Sequence, residues 1–119
     1  MFVPPPRNPR LVAALLATFR VPEGAAPSDD LTDVCSALLA AVERGESAAL
    51  FLMSRGVHYV LDPRLLALIG AGVDVSLCAM DAETERIDTD AIAALGIQLG
   101  SQHDHARLLR DADCFLSWT

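Results

Sequence analysis

Apolar residues in this chain fall into short unbroken runs, and the segments between them repeat at helical spacing. Residues 11–19 (Leu-Val-Ala-Ala-Leu-Leu-Ala-Thr-Phe) form the first run, which suits a strand buried on both faces of a parallel sheet. Its Ala and Leu content makes helix the rival reading. Residues 48–53 are a second apolar strand, and residues 73–78 (Val-Asp-Val-Ser-Leu-Cys) read as a third, ending on Cys78. Ile97-Gln98-Leu99 is a brief fourth strand, and residues 113–118 close the chain as a fifth.

Helical patterns occupy the gaps. Leu31, Val34, Cys35, Leu38, Leu39 and Val42 recur on one face, with Asp29 or Asp30 as the cap, Asp33 in the first turn and Gly45 as the stop. Asp62-Pro63 is a cap followed by proline at the first helical position, and that helix runs to Gly70. Asp88 or Thr89 caps a short helix through Ile92 and Leu95. Ser101, with Asp104 three residues on, opens a last helix that Leu108 and Leu109 turn inward. Residues 20–28 and 54–59 read as loops, and residues 79–86 as a polar loop behind Cys78. Strand and helix alternate throughout, which predicts a three-layer α/β/α sandwich around a five-stranded parallel sheet.

Length and composition narrow the class. The chain has 119 residues, the size of one domain spanning 1–119. Residues 1–9 form a proline-rich arm without periodicity. With 52% hydrophobic residues and only 5% aromatic, some apolar surface is expected to remain for a partner subunit. The net charge of −7 argues against nucleic-acid or anionic-membrane binding. All nine basic residues are arginine, so a Schiff-base, Walker-A or receiver-domain lysine is excluded. No apolar run approaches the ~20 residues of a membrane span, and prolines occupy the place of a signal-peptide helix. A cytoplasmic location is the expectation. Three cysteines without paired spacing suggest no disulfide framework. The loops carry no dinucleotide, flavodoxin-type or nucleophile-elbow signature, so nucleotide chemistry is not expected.

Candidate chemistry gathers at the carboxyl ends of the strands, where ligands collect in open parallel sheets. A thiol at Cys78 is expected to be exposed there by the backbone. Arg55 and His58 follow the second strand, Arg86 follows the third, and His103 follows the fourth. Arg86 would favour a thiolate, whereas Asp81, Glu83 and Glu85 in the same loop would raise the thiol's pKa. Cys35 and Cys114 lie in apolar patterns and read as inert small hydrophobes. His105 reads as a solvated surface residue.

Three blocks resemble a known family. Residues 48–58 (Ala-Ala-Leu-Phe-Leu-Met-Ser-Arg-Gly-Val-His) look like the second strand and Gly-Val turn of the DsrE/DsrF-like sulfur-relay proteins. Residues 72–78, with Arg86-Ile87 after them, are similar to that family's active-cysteine segment. Residues 96–101 and 108–113 match its closing elements, so the likeness covers 48–119, with 11–45 following in pattern. The resemblance implies a cytoplasmic homo-oligomer, trimer or hexamer. Its cysteine at the position of Cys78 would accept sulfur as a persulfide from a donor protein and pass it to an acceptor, with Arg55, His58, Arg86 and His103 shaping the pocket. No cofactor or metal is expected. The alternative is a non-catalytic oligomeric binding or scaffold module of the same fold. A metal site through His58, Cys78 and His103 ranks third.

Overall fold

The computed structural model describes residues 10–17 and 30–118. The proline-rich arm, the loop at 20–28, the cap candidate Asp29 and the last two residues of the first apolar run lie outside them.

Five parallel strands form one sheet in the order β4-β3-β2-β1-β5. They are β1 (Leu11–Leu16), β2 (Ser47–Leu52), β3 (Asp74–Cys78), β4 (Gln98–Gly100) and β5 (Cys114–Trp118). The rival helix reading fails for β1, which pairs with β2 from Leu11↔Ser47 to Leu16↔Leu52 and with β5 from Val12↔Cys114 to Leu16↔Trp118. An unbroken apolar run flanked by a strand on each edge and buried on both faces has no solvent side for a helix to present.

Helices α1 (Asp30–Glu43), α2 (Pro63–Gly70), α3 (Ala79–Thr84), α4 (Thr89–Ala94) and α5 (Gln102–Asp111) complete the fold, with a 3₁₀ helix at Ser54–Leu61. Their starts follow from the sequence. The Asp62 carboxylate accepts the Arg64 N–H at 2.9 Å, ahead of Pro63. Asp88, not Thr89, is the cap of α4, accepting from Asp90 and Ala91 at 3.1 and 3.2 Å. Ser101 and Asp104 form the expected capping box.

Two segments read as loops are helical. Residues 79–84 form α3, because Ala82 supplies an inward apolar position and Asp81 a favourable first-turn charge. Residues 54–61 coil into the 3₁₀ helix, which buries Val57, Tyr59 and Val60. Gly56 is required there. A Cβ on it would stand 2.2 Å from the Leu16 carbonyl oxygen, so the chain passes β1 closer than any side chain permits. That approach lets the Gly56 N–H donate to the Ala17 carbonyl at 3.0 Å.

The order of crossovers assigns the layers. From β1 to β4 the chain steps across the sheet in one direction, then returns over it to place β5 beside β1. Among the described residues, right-handed crossovers put α1, α2 and α4 on one face and α5 alone on the other. Burial agrees. Leu31, Val34, Leu38, Leu65, Leu68 and Ile92 join Val12, Ala14, Leu16, Leu50, Leu52, Val75 and Leu77 in one continuous core. The second face has a small cluster of Leu15, Phe51 and Cys78.

Candidate functional site

Cys78 is the last residue of β3 and the N-cap residue of α3. Successive strand side chains point to opposite faces, so Val73, Val75 and Leu77 enter the large core while Asp74, Ser76 and Cys78 face α5. Along that second face exposure falls from Asp74, which is open, through Ser76 to Cys78, which retains 4% of its surface. The expected open thiol is therefore buried. Its neighbours are Leu15 and Phe51, ringed by Met53, Leu108 and Phe115. All three cysteines are free thiols.

The residues expected around Cys78 are arranged differently. Arg55 and His58 lie on the 3₁₀ helix, and both approach Glu85 just past α3: Arg55 Nε at 3.6 Å and His58 Nε2 at 3.4 Å. Asp81 Oδ2 accepts the Ser54 N–H at 2.6 Å. Two of the carboxylates expected to surround the thiol are thus engaged by the 3₁₀ helix, and they tie it to α3. The Arg55 Nε atom is buried without a hydrogen-bond partner, since 3.6 Å is charge contact rather than a hydrogen bond.

Arg86 is exposed with φ +59°. It occupies the left-handed position after α3, where its N–H donates to the Glu83 carbonyl and that of Ile87 to Ala82, the Schellman pattern that glycine ordinarily serves. His103 is exposed on α5. None of Arg55, His58, Arg86 or His103 hydrogen-bonds or ion-pairs with Cys78 among the described residues. Nor do His58, Cys78 and His103 form a group able to hold a metal ion.

The histidine on the Cys78 side is His105, which had read as a solvated surface residue. Its ring stacks on Phe51 at 5.4 Å between centroids and 14° between planes, and lies 6.0 Å from Phe115. The signal was present in the sequence: His105 stands three residues before Leu108, so the two share a helix face. Leu109, expected inward, is 54% exposed. Gly100 pairs with Cys78 in the sheet, and a Cβ there would stand 3.2 Å from Asp104 Oδ2 and 3.5 Å from the Phe51 ring. Hydrogen bonds from the Ser101 N–H and hydroxyl hold the Asp104 carboxyl below its usual range, with Arg107 and His103 adding to the effect.

Elsewhere, burial pushes the Cys35 thiol up, opposed by Arg64 and reinforced by Asp62, which suits the inert role expected for it. The connections that leave β3 and β4 run to opposite faces of the sheet, so they diverge at the carboxyl ends of these two strands, where Cys78 pairs with Gly100.

Fold and site together define a three-layer α/β protein with a five-stranded parallel sheet and a cysteine at the carboxyl end of an interior strand. No family model matches the chain, and no curated protein matches it. Solved structures share the fold. The YchN protein from E. coli superposes with a TM-score of 0.70 at 23% identity, over 92% of this chain and 99% of YchN. A conserved protein of unknown function from Bacteroides thetaiotaomicron, BT1422, gives 0.72 at 16% identity, over 91% and 94%. Among the described residues no helix is long and apolar enough to cross a membrane.

Proposed function

We propose that this chain is a DsrE-like sulfur carrier that holds a persulfide on Cys78. The supporting observation is a free thiol at the carboxyl end of the interior strand β3, at the junction with α3. The Cys78 thiolate attacks the outer sulfur of a donor protein's persulfide. The donor's S–S bond breaks, its own cysteine leaves as thiolate, and Cys78 becomes the persulfide. Transfer to an acceptor thiolate reverses these roles, so no oxidant or cofactor is consumed. The carrier works in the cytoplasm as a homo-oligomer.

Incubation with glutathione persulfide tests the reading by intact-protein mass. One added sulfur atom is expected, lost in Cys78→Ala and kept in Cys35→Ala. No adduct, or an adduct that survives Cys78→Ala, would end it. Sedimentation of the purified protein tests the assembly, and a monomer at micromolar concentration would remove that part.

A second reading is a binding or scaffold module of the same fold in which Cys78 has no chemistry. It is favoured by the 4% exposure of Cys78 and by Glu85 occupying Arg55 and His58. Slow alkylation of Cys78 with a thiol pKa at or above the free value of about 8.5 would select it.

A further inference from the structure

Helix α5 is held to the sheet by few side chains among the described residues. His105 and Leu108 carry that attachment, through the Phe51 stack and the cluster that contains Cys78, and the Asp104 carboxylate rests on Gly100. No residue of α5 is fully buried. Beneath it lies a cleft of about 320 Å³, bounded by Ala49, Asp74 and Ser76 of the sheet and by Asp104, Arg107 and Asp111 of the helix. Among the described residues that line it, carboxylates stand on both walls with Arg107 as the one cation, so like charge opposes closing the cleft further.

The helix also has the ends of a rigid body on pivots. Its capping box closes the first turn on itself. Ser101 and Ala112, flanking the helix, are in extended backbone. Beyond Ala112 the chain is pinned again, because the Asp113 N–H donates to the Leu11 carbonyl at 2.9 Å and Asp113 Oδ2 accepts the Leu11 N–H at 2.7 Å. Motion of α5 therefore leaves β5 in place.

We infer that α5 is a hinged cover over Cys78, which swings out on Ser101 and Ala112 and exposes the thiol while the sheet stays folded. The inference rests on the sulfur-carrier reading only in naming what the opening admits. Local opening of a weakly packed unit costs less than global unfolding and exposes little new surface, so it depends little on denaturant.

The test is labelling of Cys78 by a thiol reagent across a urea series, in the Cys35→Ala, Cys114→Ala background. At low urea the rate should be nearly independent of urea and more than about tenfold above that set by global unfolding. Replacing His105 by Ala should raise it about fivefold, by removing the ring stack. A rate that follows the full unfolding slope down to zero urea would overturn the inference, and so would a rate unchanged in His105→Ala. Should that variant not fold, the wild-type urea series decides alone. The two readings fail separately. Labelling by local opening without sulfur uptake sinks the carrier and leaves the cover, and uptake with labelling only through global unfolding does the reverse.

Discussion

The two faces of the sheet are made by the same alternating strands, yet they are sealed in different ways. On the first, α1, α2 and α4 with the 3₁₀ helix give a continuous core in which Leu16, Leu38, Leu50 and Leu68 are wholly inaccessible. On the second, one helix among the described residues lies across a surface that five strands, about 4.8 Å apart, make roughly 19 Å wide. A helix with its side chains covers about 10 Å of that width. Among the described residues a small buried cluster and an aromatic stack hold the second face together, and the candidate thiol belongs to that cluster. Stability thus resides on one face, and the candidate chemistry sits under the more weakly attached layer of the other.

The contrast can be broken most severely at Gly56. Gly56→Ala drives a methyl into the Leu16 backbone, where neither partner can yield, and should cost about 4 kcal/mol or more, enough to unfold a domain of ordinary stability. A soluble variant with a wild-type urea midpoint would show that the 3₁₀ helix does not close on β1 as described.

Next come matched truncations on the two faces. Leu50→Ala in the large core should lose about 2–5 kcal/mol, whereas Leu108→Ala under α5 should lose about 1 kcal/mol. Urea unfolding of both variants measures the difference, and equal losses would abolish the distinction between the faces.

Acid provides a gentler probe. The folded-state pKa of Asp104 lies below its unfolded value, so its contribution to α5 is complete above about pH 4 to 5 and is lost as pH falls through the folded value. Asp62 is shifted the same way, chiefly by its hydrogen bonds with Arg64, but α2 also buries Leu65 and Leu68. Amide exchange near pH 3 should therefore lose protection in α5 before α2, and Asp104→Asn should show the α5 loss already at pH 6. Simultaneous loss in both helices would contradict the weaker attachment of α5.

The smallest effect is expected at Arg86, on neither face. Its left-handed backbone costs about 1 kcal/mol, partly offset in Arg86→Gly by glycine's greater unfolded-state freedom, so the variant should gain under about 1 kcal/mol. A loss instead would show that the exposed guanidinium has an unseen contact.

Much of this architecture was legible in the chain. The strand runs, the Asp62-Pro63 start and the Ser101–Asp104 box are local signals, each written within a few adjacent residues. The helix at 79–84 was hidden because its polar residues outnumber its one inward contact, Ala82, and only packing against the core reveals that position. Placement of Arg55 and His58 at a strand end was correct, but their partner Glu85 lies about 30 residues away in sequence and carries the charge expected to oppose the thiol. His105 escaped notice because a histidine among charged residues looks solvated until Phe51 and Phe115 are beneath it.

The sequence by itself determined the alternation of strands and helices, the parallel sheet and the position of Cys78 at a strand end, since periodicity and capping are properties of neighbouring residues. Tertiary structure decided the order of the strands, and with it that α5 crosses the face opposite α1, α2 and α4. It also decided that Cys78 is buried and that His105 rather than His103 stands on its side. Those outcomes depend on which distant segments meet, and no local pattern encodes how many helices share a face.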